Sequence, residues 1–234
     1  MQWFRSANSR WMLMLVWLLL AASSTVGARE AGPSQWRDAM DAFATQDQAH
    51  PPPPHAVLFI GSSSFNYWHT LAQDFPGIPV INRGFGGSVI ADSTYYADRI
   101  VWPYRPRLIV MYAGDNDIAE GATPDRVLAA FQAFVTKARE RLPGVPVVCV
   151  SIKPSVARWA LWPQMHEANE KIRAWAATQH EVRYVDIGPA MLDAQGKPRP
   201  ELFIADGLHM TPAGYALWIT ALKPVLAEYG FRTR

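Results

Sequence analysis

The stretch VLFIGSSS, residues 57–64, combines a fully apolar run with an abrupt turn signal. Consecutive apolar residues without polar alternation are typical of a strand that is buried on both faces. Gly61 permits a tight turn at the end of that strand, and the serines after it favour the start of a helix. The stretch therefore predicts the first strand, turn and helix of a parallel α/β sheet.

Similar apolar runs recur further along the chain, separated by stretches that are compatible with helices. This alternation predicts an α/β fold in which a five-stranded parallel sheet lies between two helix layers, a three-layer sandwich. Thr123 and Thr211 are suitable N-caps, and each precedes a proline at the first helical position. Pro224 is expected to bend or end the last helix early. The further runs are residues 80–81, 108–111, 145–150 and 182–185.

Residues 1–28 have the pattern of a secretory signal peptide. Arg5 and Arg10 precede an apolar run over residues 11–22, and Ala28 ends a segment of small residues that suits cleavage. A retained membrane anchor is the competing interpretation, but a spanning helix needs roughly 20 apolar residues. We therefore expect export from a bacterial cytoplasm to the periplasm or the medium, with no stable membrane span after the leader is removed.

Residues 29–54 are expected to form an amphipathic helix, over residues 34–46, and a proline-rich lead-in, and residues 55–234 one globular domain. The formal net charge of the chain is +2, and removal of the leader takes away two arginines and no acidic residue, which leaves 2 − 2 = 0. A neutral chain has no electrostatic footprint for nucleic acid. Cys149 is the only cysteine, so no intrachain disulfide is possible. These features leave the oligomeric state open.

Polar segments directly follow three of the predicted strands, and a fourth such segment lies just before the last helix. Because the carboxyl ends of parallel strands lie along one edge of a sheet, we expect these segments to meet there. They are GSSS at residues 61–64, NRGFGG at 82–87, GDND at 114–117 and DGLH at 206–209.

Each segment also has an ordinary structural explanation when it is taken alone. Serines suit a helix N-cap, the glycines a turn with positive φ, and Asn116 an Asx turn. The glycine segment lacks the spacing of a dinucleotide site. Asp206 and His209 form an alternative metal pair, but no further cluster of ligand spacing accompanies them. We therefore expect no metal and no organic cofactor.

The four segments occur in the order found in the SGNH, or GDSL-like, hydrolases, and the chain resembles that superfamily over most of its length after Pro54. Ser62 stands where the family usually has aspartate. In this respect, and in Arg83, Tyr112 and residues 151–159, the chain resembles a bacterial branch with Gly-Ser-Ser-Ser in the first segment. The resemblance implies a flavodoxin-like arrangement of the sheet and a serine mechanism without a cofactor.

The resemblance also implies a role for each matching residue. Ser63 corresponds to the nucleophile, His209 to the general base, and Asp206 to the carboxylate that orients the base. The oxyanion donors correspond to the backbone N–H groups of Ser63 and Gly87, with Gly86 as the alternative to Gly87, and to the side-chain amide of Asn116.

Hydrolysis of carboxylic esters through an acyl-enzyme follows from this resemblance. We expect a short-chain acyl esterase that acts on a small-molecule or glycan ester, a carbohydrate O-deacetylase being one specific form. Tryptophans offer stacking surfaces for sugar rings. The alternatives are a lysophospholipase or thioesterase, and a catalytically silent carbohydrate- or lipid-binding module on the same fold. The tryptophans considered for stacking are Trp68, Trp102, Trp159 and Trp162.

Overall fold

The computed structural model describes residues 35–232, so the predicted signal peptide lies outside the described residues. Five parallel strands form one sheet in the order β2-β1-β3-β4-β5, which is the order of flavodoxin-like sheets. The predicted fold class is confirmed. The strands are β1 Val57–Gly61, β2 Val80–Gly84, β3 Leu108–Tyr112, β4 Val147–Val150 and β5 Val182–Val185.

Helices connect these strands. The α-helices are α1 Arg37–Ala49, α2 Ser63–Asn66, α3 Leu71–Asp74, α4 Ile90–Ile100, α5 Asp115–Ala119, α6 Pro124–Arg141, α7 Trp162–Ala176 and α8 Pro212–Glu228. Short 3-10 helices cover Trp102–Tyr104, Trp159–Leu161, Pro189–Met191 and Pro200–Leu202.

The helices cover both faces of the sheet and produce three layers. Helices α1, α4, α6 and α7 pack on one face, while α2, α3 and α8 pack on the other. Leu58 and Ile60 of β1 join the first core, and Val57 and Phe59 join the second. Both faces of a central strand are therefore apolar, which explains the continuous apolar runs of the sequence.

The starts of α6 and α8 agree with the prediction from the sequence, whereas the end of α8 does not. The side chains of Thr123 and Thr211 accept hydrogen bonds from backbone N–H groups at the starts of α6 and α8. The expected early end at Pro224 is wrong, because α8 continues to Glu228. A proline removes one helical donor, and the turn after it still buries Val225 and Leu226 in the core.

Helix α1 lies where the sequence predicts an amphipathic helix, and it is fixed to the edge of the sheet. Met40 is buried in the core beneath α4. Asp47, near the end of α1, accepts hydrogen bonds from the buried Arg83 of β2 and from the hydroxyl of Tyr104. No helix within residues 35–232 has the length and apolar character needed to cross a membrane.

Candidate active site

Ser63 begins α2 directly after β1, at the carboxyl edge of the sheet. Gly61 has a φ of 142°, and a Cβ at that position would lie 1.8 Å from the carbonyl oxygen of Tyr112 on β3. Only glycine fits this approach between neighbouring strands. The N–H of Ser62 donates to the same carbonyl oxygen at 3.0 Å. The tight turn leaves Ser63 8% exposed, close to the surface of the sheet edge.

The glycine segment after β2 passes beside this turn. A Cβ on Gly86 would lie 3.9 Å from the Cβ of Ser63. Gly87 has a φ of 76°, a conformation that favours glycine. A Cβ on Gly87 would lie 3.2 Å from the indole of Trp36, whose ring packs edge-on against Phe85. The segment is therefore held between α2 on one side and the start of α1 on the other.

The amide of Asn116, on α5, lies against the same segment. Its Nδ2 donates to the carbonyl oxygen of Ser88 at 2.9 Å, one residue after Gly87. Its Oδ1 accepts from Nη2 of Arg158 at 2.8 Å. Because a guanidinium only donates, this contact determines which end of the amide carries the N–H groups. The second N–H of Nδ2 is left for another acceptor.

A buried charge cluster lies next to Asn116, and the sequence analysis did not assign it to the site. Nζ of Lys153 lies 3.0 Å from the hydroxyl of Tyr112, 3.1 Å from Oγ of Ser64 and 3.3 Å from Oδ2 of Asp115. The Lys153 and Asp115 side chains are only 1% and 3% exposed. Charges this deeply buried require partners, and each of these two charges has one.

Arg158 joins this cluster to the amide of Asn116, because its Nη1 lies 3.2 Å from Oδ2 of Asp115. Burial acts to raise the pKa of Asp115, but the charges of Lys153 and Arg158 outweigh burial and lower that pKa. Burial lowers the pKa of Lys153, although the charge of Asp115 opposes the shift. Lys153 and Arg158 both come shortly after β4. Their position in the segment after a strand was the sequence feature that could have indicated a place near the site.

Asp206 and His209 lie together in the loop before α8. Nδ1 of His209 is 2.6 Å from Oδ2 of Asp206, and Oδ1 of Asp206 accepts from the backbone N–H groups of Leu208 and His209. Partial burial acts to raise the pKa of Asp206, but these hydrogen bonds outweigh it and lower the pKa to about 2. The carboxylate is therefore charged at neutral pH and accepts only, so Nδ1 carries a proton.

The other ring nitrogen of His209 faces a different environment. Nε2 is buried, and no residue among 35–232 forms a hydrogen bond with it. Tyr67 joins the ring to the serine turn, since its N–H donates to the carbonyl oxygen of Ser63 at 2.8 Å. The centroids of the Tyr67 and His209 rings are 4.4 Å apart. The imidazole therefore lies beside the turn that carries Ser63, with an available lone pair on Nε2.

The tryptophans considered for sugar stacking divide into two pairs. Trp68 and Trp102 are buried in the core. Trp159 and Trp162 are half-buried, and their rings are nearly parallel, with an angle of 14° and centroids 6.0 Å apart. Only the second pair offers an accessible surface, immediately after Arg158 in the chain.

The arrangement fits acyl transfer, because a serine, an oriented histidine and an amide donor converge on one edge of the sheet. Within residues 35–232, no group of three or more His, Cys, Asp or Glu side chains is arranged to hold a metal ion.

Comparison with known proteins gives the following findings. The sequence matches the GDSL-like lipase/acylhydrolase family over residues 45–217, whereas no curated protein matches the chain. A solved structure of a Streptococcus pneumoniae protein named for platelet activating factor is similar, with 21% sequence identity and a TM-score of 0.72. The match covers 81% of this chain and 92% of that chain.

Two further solved structures are similar. A GDSL-like lipase from Bacteroides thetaiotaomicron is 22% identical, with a TM-score of 0.69 and coverage of 81% of this chain and 97% of that chain. A catalytic mutant of an acetylxylan esterase from Geobacillus stearothermophilus is 16% identical, with a TM-score of 0.58 and coverage of 78% and 99%. At these identities the likeness shows a shared fold.

Proposed function

Because this chain belongs to the GDSL-like lipase/acylhydrolase family, it is a carboxylic ester hydrolase, and we propose that it hydrolyses short-chain acyl esters with Ser63 as the nucleophile. One observation carries the proposal: the His209 imidazole is paired with a charged Asp206 and lies beside the serine turn. A serine hydroxyl is a weak nucleophile until an adjacent base accepts its proton. The orientation of the His209 ring by Asp206 and its position beside the serine turn support His209 as that base.

In the first half of the reaction, Oγ of Ser63 attacks the ester carbonyl carbon while Nε2 of His209 takes the hydroxyl proton. The negative charge that develops on the carbonyl oxygen is received by the backbone N–H groups of Ser63 and Gly87 and by the Asn116 amide. The bond to the alcohol oxygen then breaks, and the imidazolium of His209 gives its proton to the departing alkoxide.

In the second half, water attacks the carbonyl carbon of the acyl-enzyme and gives a proton to His209. The bond between that carbon and Oγ of Ser63 breaks, the proton returns to Oγ, and the carboxylic acid leaves. Asp206 holds the imidazole in one tautomer and stabilises its charged form throughout.

Short acyl groups fit the acyl side of the site, because the large apolar side chains that are strongly exposed within residues 35–232 lie elsewhere. They are Tyr67, Val156 and Ile204 around the His209 loop and Tyr95 on α4. A long acyl chain gains about 0.8 kcal/mol for each methylene group that it buries, and it loses this gain where the chain stays in water. An acetyl group has little to bury, so it does not need such a surface.

A carbohydrate O-deacetylase is the second candidate, and the Trp159–Trp162 pair favours it. Parallel, half-buried indole rings suit the apolar face of a sugar ring. One of the similar solved structures is an acetylxylan esterase, which supports the same direction. The leader-like sequence pattern of residues 1–28 supports our further proposal that the enzyme is exported to a compartment where glycan esters are accessible.

Hydrolysis of p-nitrophenyl esters from acetate to laurate tests the proposal. We expect the wild type to favour the shortest acyl groups and Ser63→Ala to lose turnover while keeping its unfolding transition in urea. Ser62→Ala is the matched control, because its hydroxyl is buried next to Ser63 and is outside the proposed mechanism. A Ser63→Ala protein as active as Ser62→Ala would refute the proposal. An N-terminal sequence that still begins at Met1 in the exported fraction would contradict leader cleavage.

A further inference from the structure

Few large apolar side chains of the described chain are strongly exposed. Those that are exposed by nearly half are Tyr67 at 46%, Tyr95 at 47%, Val156 at 45% and Ile204 at 45%. Tyr95 lies on α4 with its ring against Tyr96. The other three surround the loop that carries His209, and we call them the His209 rim.

Ile204 begins this loop and is fixed to its end. Its N–H donates to the carbonyl oxygen of His209 at 2.8 Å, and its carbonyl oxygen accepts from the N–H of Gly207 at 2.9 Å. The loop is therefore closed on itself by backbone hydrogen bonds. This closure fixes the backbone of Ile204 relative to the backbone of His209.

Val156 lies against the same loop from the segment that follows β4. A Cβ on Gly207 would lie 3.2 Å from the Cβ of Val156, and the N–H of Ala157 donates to the carbonyl oxygen of Gly207 at 3.0 Å. Tyr67 completes the rim through its ring contact with His209. Three exposed apolar side chains from distant parts of the sequence are thus grouped around one catalytic loop.

The proposed reaction determines which part of an ester this rim faces. His209 must give its proton to the leaving oxygen, so that oxygen has to come within hydrogen-bond reach, about 3 Å, of Nε2. The acyl group stays bonded to Ser63 beside the oxyanion donors. The part of the substrate next to the His209 rim is therefore the alcohol and not the acyl chain.

On the basis of the proposed function, we propose that the His209 rim is the alcohol subsite and that it selects alcohols with an aryl or alkyl surface. Apolar area removed from water contributes roughly 25 cal/mol per Å², which gives such a surface a preference for apolar groups. Val156 and Ile204 offer no side-chain hydrogen bonds. Sugar hydroxyls that lost water against them would lose hydrogen bonds without replacement.

Paired substrates separate this subsite from general effects on catalysis. Benzyl acetate and ethyl acetate share the acyl group, and their alcohols are similar in acidity, so the ratio of their kcat/KM values reports binding of the alcohol. We expect the wild type to favour benzyl acetate. Replacement of both aliphatic rim residues, Val156→Ser with Ile204→Ser, should lower the ratio about tenfold, the scale of a small change in an apolar pocket.

Tyr67→Ala is the second rim variant. Because Tyr67 also contacts the His209 ring, this change can lower kcat/KM for every ester, but only loss of the subsite lowers the benzyl-to-ethyl ratio. Tyr95→Ala is the matched control, since Tyr95 is equally exposed and lies outside the rim. It should leave the ratio unchanged. The ratio of ethyl butyrate to ethyl acetate should stay constant in every rim variant, because only the acyl group differs.

Different results would overturn different parts of the proposal. An unchanged benzyl-to-ethyl ratio in both rim variants would show that the rim is not the alcohol subsite. A changed butyrate-to-acetate ratio would show that the rim contacts the acyl group instead. If the wild type preferred an acetylated xylose to benzyl acetate, and the rim substitutions reduced that preference, the proposal that the rim selects apolar alcohols would be wrong. If the wild type hydrolysed no ester, the proposed function would fail and the subsite with it.

Discussion

The two sides of the candidate site are constructed in different ways. The Asn116 side lies on α5 above the buried charges of Lys153 and Asp115, which are almost entirely shielded from solvent. The His209 side is a surface loop in which Asp206 is 42% exposed and orients His209 through hydrogen bonds that span at most three residues. One side depends on the tertiary fold, and the other is organised locally.

This difference fits the roles that we propose for Asn116 as an oxyanion donor and His209 as the general base. An oxyanion donor stabilises developing charge best when it is fixed in a region of low dielectric before the reaction begins. Arg158 and the buried ion pairs fix Asn116 and so meet that requirement. Because these ion pairs also stabilise the fold, their loss should lower both the rate and the free energy of unfolding. A general base must exchange protons, and a carboxylate with nearby N–H donors is enough to orient it. Substitutions on the two sides should therefore separate activity from stability.

His209→Ala should give the largest effect, and it should be confined to activity. Loss of the proposed base is expected to lower kcat by at least about 10⁴-fold. The free energy of unfolding should change by only about 1 kcal/mol, because the partners of the His209 ring, Asp206 and Tyr67, are themselves exposed. Turnover of p-nitrophenyl acetate and urea unfolding measure the two quantities. His166→Ala, at an exposed histidine on α7, is the control and should change neither. A large loss of stability in His209→Ala would remove the contrast.

Lys153→Met tests the other side, where stability should suffer most. Removing one member of a buried ion pair costs about 3–5 kcal/mol where the remaining charge is left without a partner. Arg158 stays beside Asp115, so the free energy of unfolding in urea should fall by less, about 2–3 kcal/mol. The control is Lys137→Met, whose exposed pair with Asp98 should contribute less than about 1 kcal/mol. Equal losses in the two variants would show that burial of Lys153 does not matter.

Arg158→Met should produce a smaller and specific loss of rate. Asn116→Ala removes the donor itself and should lower kcat by about 10²- to 10³-fold. Arg158 only positions that donor, so its replacement should lower kcat about tenfold with KM nearly constant. Added guanidinium ion should restore part of the lost rate, since it can occupy the place between Asp115 and the Asn116 amide. No rescue, together with an increase in KM, would assign Arg158 to substrate binding instead.

The same contrast explains which features of the structure could be predicted from the sequence. The strands were predictable because central parallel strands are apolar on both faces. The position of Ser63 and Asn116 at the carboxyl edge of the sheet was predictable because each follows such a strand. Asp206 and His209 contact each other across three residues, so their spacing was informative. Local order of this kind leaves a local pattern in the sequence.

The rest depends on contacts between distant residues, which no local pattern records. Lys153 reaches Asp115 across 38 positions and Ser64 across 89. A charged residue normally indicates an exposed position, so the place of Lys153 after β4 does not by itself predict that its charge is buried. The end of α8 was misjudged for the same reason, because burial of Leu226 against the core outweighs the cost of Pro224.

Asp117→Asn extends the contrast to pH. The carboxyl of Asp117 is buried and accepts the N–H of Ile90 at 3.2 Å, which joins α5 to the start of α4. Burial raises the pKa of Asp117 to about 7, and the backbone hydrogen bond only partly opposes that shift. The folded state thus holds a proton that the unfolded state, with a reference pKa near 3.9, releases. The contribution of Asp117 to stability is greatest below about pH 4 and falls as the pH rises toward about 7.

Asparagine keeps the size and the acceptor oxygen of Asp117 but cannot ionise. The difference in the free energy of unfolding, Asp117→Asn minus wild type, should therefore increase between about pH 4 and pH 7 and then become constant. Urea unfolding at a series of pH values measures this difference, and contributions from other groups cancel in it. A flat difference would mean that Asp117 ionises as easily in the folded chain as in the unfolded one. The Asn116 side would then tolerate an additional buried charge. The stability of the fold would depend less on the ion pairs of Lys153 and Asp115 than the burial of these residues implies.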